Sequence, residues 1–267
     1  MKKIIHIFGM SNTGKTTLGK SLLQRLNGLN VELIDADDYR KTLNSDLGFS
    51  KEDRIENVRR LRELANNSKA DIVILCAVSP YVEMRSQDNI NVFLTSSLDT
   101  LIERDAEKQI YKNTNVAGVD SPFELPYDPY LQLNTEMQNL EDCVDSIIDY
   151  TNIKLKYAMF VGRWQTLHEG HKWLFNQKLE LGENILICIR DVAVDSSNPL
   201  SAEQVKTNIE NEYQELIRSG RVKVMVIPDI SSINYGRGVG YEVVEHFPPS
   251  EIKSISGTAI RNKQNNL

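Results

Sequence analysis

The chain has 267 residues, 40% of them hydrophobic and 25% charged. That is enough apolar surface for one large domain or two small ones, and too much for a disordered chain. Its 31 Lys+Arg against 37 Asp+Glu leave a formal charge of −6, the wrong sign for a nucleic-acid coat or a polybasic membrane binder. Apolar runs such as 72–78 are too short to cross a bilayer. The basic start MKKIIHIFGM runs into a polar glycine loop, unlike a signal peptide. Cys76, Cys143 and Cys188 are widely spaced, which suggests a reducing compartment and neither a disulfide framework nor a zinc site. The expectation is a cytoplasmic globular protein.

In chain order, Lys3–Phe8 reads as a short strand and Gly14–Asn27 as a helix with Leu18, Leu22 and Leu26 on one face, stopped by Gly28. Val31–Ile34 is a second strand. Ser50 to about Asn67 is a helix; Ser50 and Asp53 have capping-box spacing, and Ile55, Val58, Leu61 and Leu64 form a stripe. The run ADIVILCAV (70–78) fits a strand buried on both faces of a parallel sheet. Asn91–Leu94 is another strand, 107–130 a long aperiodic loop, and Leu140–Ile153 a closing helix. The pattern then restarts: strand Tyr157–Val161, helix His171–Leu181, strand Asn184–Ile189, helix Ser201–Ser219, strand Val222–Ile227. The boundary falls near Thr151–Lys156, giving domains 1–153 and 154–267.

Residues 9–16 read Gly-Met-Ser-Asn-Thr-Gly-Lys-Thr, the G-x-x-x-x-G-K-[ST] pattern between a strand and a helix. The glycines let backbone N–H groups curl around a polyphosphate, and the helix N-terminus adds partial positive charge. Gly9, Ser11, Asn12, Thr13, Gly14, Lys15, Thr16 and Thr17 are the candidate nucleotide-binding residues. Lys15 would reach the β/γ-phosphates and Thr16 would bind Mg²⁺, so ATP and Mg²⁺ are the expected cofactors. After the second strand comes Asp35-Ala36-Asp37-Asp38-Tyr39-Arg40, at the edge where α/β ligands bind. Asp37 there would orient an acceptor hydroxyl and take its proton, while Asp38 reads as a solvated turn residue. Arg54 and Asn57 share one helix face.

The segments GMSNTGKTT, DADDYRKTLNSDLGFSKEDRIENVRR, AVSPYVEMR, ERD and VAGVDSPFELP resemble adenylylsulfate (APS) kinases over almost all of 1–150. The resemblance implies that Asp37, Arg40, Arg54 and Asn57 hold the acceptor nucleotide and that Phe49 stacks on its adenine. It implies that Ser79 is the family's phosphorylatable serine near the transferred phosphate. Lys112 and Gly118–Glu124 would belong to a lid. This chain departs from the family at Ala36-Asp37-Asp38, usually Gly-Asp-Asn, and at Val82, where an arginine is common. It departs again at 104–112, one residue longer and without the family's glycine. A kinase acting on another anionic nucleotide conjugate stays open.

Phe160 to His171 form a second strand–loop–helix unit holding two of the four histidines, His168 and His171. Imidazoles at a helix start can donate to phosphate oxygens. A metal reading is poor, since the pair is not at i,i+4 and no third ligand is near. His6 and His246 read as structural, and Arg163 as a phosphate contact or a solvated side chain. The stretch Gly162-Arg163-Trp164-Gln165-Thr166-Leu167-His168-Glu169-Gly170-His171 resembles HxGH nucleotidyltransferases, nearest the nicotinamide-mononucleotide adenylyltransferase version. Ile255–Arg261 resembles that superfamily's I-S-x-T-x-I-R motif, and Asn198-Pro199-Leu200-Ser201 and Pro228-Asp229-Ile230 stand in the expected order. By resemblance, His168 and His171 stabilise the α-phosphate of an NTP, and Ser256, Thr258 and Arg261 hold the departing pyrophosphate. The wider superfamily includes ATP sulfurylases, but their Q-x-R-N is absent and this domain is small for one.

The expected architecture is α/β: a P-loop kinase domain with a parallel sheet, then a small Rossmann-like HxGH domain. The expected function is bifunctional, with 3′-phosphorylation of adenylylsulfate to PAPS and nucleotidyl transfer to a small anionic acceptor. The open alternatives are a kinase of a different conjugate made by the second domain, or a nucleotide sensor without turnover. The expected partners are small-molecule nucleotides, with no nucleic acid and no membrane; a homodimer is left open.

Overall fold

Strand β1 (Lys3–Gly9) lies between β3 (Ile72–Ala77) and β4 (Ile90–Thr95), parallel to both. The computed structural model describes residues 2–106, 109–126, 130–238 and 240–253. The chain divides after Leu155 into two compact units. In the first unit, β2 (Val31–Asp35) and β5 (Leu131–Asn134) complete a parallel sheet in the order β2-β3-β1-β4-β5. From β1 the chain goes to one side for β2 and β3, and to the other for β4 and β5. A crevice therefore opens at the carboxyl end of β1, where ligands bind in such sheets.

β3 is buried at every position, and the two-residue period of a strand sorts its side chains. Ile72, Ile74 and Cys76 join Ile5, Ile7, Val92 and Leu94 on one face; Leu18 and Leu22 of α1 (Lys15–Arg25) and Val144 and Ile147 of α5 (Leu140–Thr151) cover it. Val73, Leu75 and Ala77 face Val58, Leu61 and Ala65 of α3 (Lys51–Asn67). Buried Arg25 ties α1 to α5 through Glu141 at 3.0 Å and Asp145 at 2.8 Å. Ser50 caps α3 by accepting the Asp53 N–H at 3.1 Å. Absent from the sequence reading are β5, the short α2 (Ala36–Tyr39), α4 (Leu98–Glu103), which is capped by Ser97, and two single 3-10 turns at Val82–Met84 and Ile110–Lys112.

The second unit holds a parallel sheet in the order β6 (Ala158–Gly162), β7 (Ile185–Asp191), β8 (Val222–Pro228). Its core joins Phe160, Ile187, Phe175 of α6 (Glu169–Leu179) and Val205 and Ile209 of α7 (Ala202–Glu212). Two expectations are corrected. The helix expected over 201–219 breaks at Tyr213, whose backbone leaves helical angles while its ring packs on Phe175; α8 (Gln214–Arg218) follows. α6 begins at Glu169 rather than His171, because His168 itself caps it. A last short helix, α9, spans Ser250–Lys253.

Gly9 ends β1 with φ +156°, and a Cβ there would lie 2.5 Å from the Leu94 carbonyl oxygen. Neither the backbone angle nor the neighbouring strand can yield cheaply. Gly9→Ala is expected to destabilise the first unit by about 1–3 kcal/mol and to weaken ATP binding, read by urea unfolding and by titration with a fluorescent ATP analogue.

Candidate active site

The loop from β1 to α1 builds an anion cradle. Asn12 (φ +61°) and Gly14 (φ +88°) adopt left-handed backbone. Gly14 is the N-cap of α1 and supplies no side-chain cap, which leaves the helix's first N–H groups for a ligand. Lys15 Nζ donates to the Met10 carbonyl at 2.7 Å. Thr16 Oγ1 donates to Asp35 Oδ2 at 2.6 Å, and the other Asp35 oxygen accepts the Asp37 N–H at 2.9 Å. A hydroxyl paired with a carboxylate is the oxygen-donor chemistry that suits Mg²⁺.

A cavity of about 1170 Å³ extends from this cradle, above the roughly 300–1,000 Å³ of a usual single-ligand pocket. Ser11, Asn12, Thr13, Gly14, Lys15, Thr16 and Thr17 line it together with Asp37, Arg40, Phe49, Arg54, Asn57 and Ser79. Phe49 is 59% exposed. The Arg40 guanidinium stands 4.6 Å from its ring centroid and that of Arg54 5.6 Å. Both arginines are partly desolvated, which pushes their pKa values down from the usual arginine range. Arg40 donates to the Leu47 and Gly48 carbonyls, and Arg54 to the Phe49 and Asn115 carbonyls. Buried Asn57 accepts from Asn44 Nδ2 at 2.9 Å. Lys112 is exposed, outside the cavity lining, and follows directly on Tyr111. Asp38 pairs only loosely with Lys41, at 3.7 Å.

Two residues that the sequence reading did not single out, Asp105 and Tyr111, fasten the following loop to the cradle. Asp105 Oδ1 accepts from Asn12 Nδ2 at 2.9 Å and its Oδ2 from the Tyr111 N–H at 2.8 Å. Tyr111 OH donates to the Ser11 carbonyl at 2.8 Å. On the acceptor side, Glu124 donates its N–H to the Pro80 carbonyl, accepts the Val82 N–H on Oε2, and takes Arg85 Nη2 on its carbonyl. Also missed was His6, read as structural. Its Nε2 lies 2.9 Å from Ser79 Oγ, and both residues are buried. Burial, with the charges of Arg85 and Arg62, holds the His6 pKa down to about 3.

In the second unit, His168 Nδ1 accepts the Gly170 N–H at 3.1 Å. That bond places the proton of a neutral His168 on Nε2, as a donor. The His168 and His171 rings stack with centroids 3.8 Å apart. Burial and the neighbouring His168 hold the His171 pKa to about 4, and burial lowers that of His168. The loop before them is fixed by Gln165, whose side-chain amide donates to the Leu200 carbonyl at 2.7 Å and accepts its N–H at 3.1 Å. Arg163 reaches Asn198 Oδ1 at 3.1 Å. Arg190 pairs with Asp229 at the ends of β7 and β8. Ser256, Thr258 and Arg261 lie outside the described residues.

A strand–cradle–helix nucleotide site opening into a two-sided cavity on a parallel sheet defines a P-loop kinase. The family model for adenylylsulphate kinase matches residues 1–134. The adenylyl-sulfate kinase of Clostridium acetobutylicum is 35% identical over 164 residues, which cover 55% of this chain and 82% of that one. The Bacillus licheniformis adenylyl-sulfate kinase is 36% identical over 171 residues, covering 57% and 86%. Among solved structures, the Mycobacterium tuberculosis APS kinase CysC in complex with AMPPNP and APS matches with a TM-score of 0.52 and 29% identity, over 57% of this chain and 98% of that one. The chain belongs to the adenylylsulphate kinase family through its N-terminal unit. The family's phosphoryl donor is ATP with Mg²⁺, and the Lys15, Thr16 and Asp35 constellation fits both. Among the described residues no helix is long and apolar enough to cross a membrane.

His6 gives the N-terminal unit a signature in pH. It stays neutral when folded, whereas the unfolded imidazole takes up a proton below about pH 6.5. Its contribution is therefore complete above pH 6.5 and is lost as pH falls toward 3. Comparing urea unfolding of the native chain and His6→Gln at pH 7.5, 6.0 and 5.0, the native chain is expected to lose about 1.4 kcal/mol more per pH unit below 6.5.

Proposed function

We propose that the N-terminal unit transfers the γ-phosphoryl group of MgATP to the 3′-hydroxyl of adenylylsulfate, giving PAPS and ADP. The observation that carries this reading is the continuity of the cavity. It joins the phosphate cradle to a cationic and aromatic group formed by Arg40, Phe49, Arg54 and Asn57. In-line phosphoryl transfer needs positioning and charge neutralisation more than covalent chemistry. The cradle N–H groups and Lys15 bind the β/γ-phosphates, and Thr16 would hold Mg²⁺, which would supply neutralisation of the developing charge. Arg40 and Arg54 bind the acceptor's anionic end, and Phe49, steadied beneath them, offers its ring to the adenine. Asp37, exposed at the cavity wall, takes the acceptor proton. Membership of the family supports this substrate, with sulfate assimilation in the cytoplasm as the setting. The ground for a second reading, a nucleotide conjugate with another anionic group, is the departure from the family pattern at Val82, which stands between the cavity-lining Pro80 and Met84.

For the C-terminal unit, we propose nucleotidyl transfer from an NTP to a small anionic acceptor, releasing pyrophosphate, so that the chain is bifunctional. The support is the stacked His168–His171 pair at the head of α6, with His168 fixed as an Nε2 donor. Preformed donors of this kind stabilise charge gathering on a pentavalent phosphorus. Ser256, Thr258 and Arg261 would hold the leaving pyrophosphate.

Purified protein with MgATP and adenylylsulfate is expected to form PAPS and ADP, and Lys15→Ala to lower the rate at least about 100-fold. Binding of ATP with no PAPS formed would turn the reading to another conjugate. For the second unit, His168→Ala and His171→Ala are each expected to abolish pyrophosphate release from the four NTPs in the presence of a panel of small phosphorylated acceptors, while PAPS formation persists.

A further inference from the structure

Ser79 is held more tightly than a wall residue of a cavity needs to be. It follows β3 in a left-handed backbone conformation, φ +44°, that costs a serine strain energy. Arg85 Nε donates to its carbonyl at 3.0 Å, and Arg85 is itself buried, bonded to the carbonyls of Pro80 and Glu124 and lying 4.5 Å over the Phe8 ring. From behind, His6 Nε2 meets the hydroxyl at 2.9 Å. The alternation of β1 explains why: Ile5 and Ile7 point into one core and His6 to the opposite face.

A serine–imidazole bond runs in one of two directions, and the surroundings choose between them. Were Ser79 the donor, the ring proton would sit on Nδ1, which is fully buried with no hydrogen-bond partner among the described residues. With the proton on Nε2, only a lone pair is left unpaired, and a buried orphan acceptor is the cheaper of the two. The Ser79 proton is then free to point into the cavity that the residue lines. Burial and Arg85 keep the ring neutral, so it is too weak a base to take the serine proton.

We infer that His6 is a positioning residue: its Nε2–H fixes the Ser79 oxygen, so that the hydroxyl serves as a hydrogen-bond donor to an anionic oxygen of the bound substrates and not as a nucleophile. This deepens the kinase reading above and rests on it. The phosphoryl group then passes from ATP to the acceptor hydroxyl in one displacement, with no phosphoserine at Ser79.

The test uses the full chain. In a ¹⁵N–¹H spectrum of the histidine side chains, the His6 signals, identified by their loss in His6→Gln, are expected to show Nε2 protonated and Nδ1 bare, unchanged from pH 8 to 5.5. The opposite tautomer overturns the proposal. With γ-³²P-labelled ATP, no acid-stable label is expected on Ser79; a labelled Ser79 peptide overturns it. In the kinase assay, His6→Leu is expected to lower kcat about 10- to 100-fold, the range of one lost hydrogen bond to a charged group. KM for ATP should stay within about twofold. His6→Gln, which returns an N–H donor near the Nε2 position, should recover most of that loss, and native kcat in His6→Leu overturns the proposal. If the native chain forms no PAPS, the kinase reading fails by itself, and the spectrum and the labelling still decide the role of His6.

Discussion

The N-terminal unit depends on burying β1 on both faces. With β3 on one side and β4 on the other, its backbone groups are spent in two ladders; α1 and α5 cover the Ile5 and Ile7 face, and Ser79, Arg85 and Phe93 close over His6 and Phe8 on the other. A strand so confined has almost no freedom, and its carboxyl end becomes a fixed point. The cradle starts there at Gly9, pressed on the Leu94 carbonyl. The same strand carries His6 to the back of Ser79. One rigid element thus sets both the phosphate-binding loop and the serine facing it.

The described residues between 105 and 124 bridge the two sides of the cavity mainly by hydrogen bonds, with a small apolar contact in which Val116 and Ala117 are buried and Phe123 stacks on Phe93. Asp105 and Tyr111 clasp the cradle at Asn12 and Ser11, while Asn115 and Glu124 clasp Arg54 and the loop 80–85. Polar fastenings at a solvent-facing cavity exchange readily with water, so a segment held this way opens at lower free energy than the sheet beneath it.

Much of this arrangement is visible in the amino-acid order. The continuous apolar run 70–78 is β3, the Ser50–Asp53 spacing caps α3, and the glycine loop stands between β1 and α1 as its pattern requires. What stays hidden is mostly tertiary. The four residues of β5 are too few to show a period, and they pair only because β4 presents an edge. Tyr213 looks like any helical residue until its ring is seen to fill space beside Phe175. His6 sits in an apolar run, and nothing in the run says that Ser79, 73 positions on, faces it. Asp105, within the Arg104-Asp105 pair of the family-like segment, carried a signal that the reading left unused.

Both tryptophans of the chain, Trp164 and Trp173, belong to the second unit. Trp164 is nearly buried, its indole N–H bonded to the Cys188 carbonyl at 3.0 Å and its ring edge-on to His171 at 5.2 Å. The protein therefore carries an intrinsic optical label on one unit only. An imidazole in contact with indole quenches its emission most when protonated, so the fluorescence of the native chain reports the state of the histidine pair. With excitation at the red edge of the indole band, where tyrosine does not absorb, the N-terminal unit, lacking tryptophan, contributes no emission of its own.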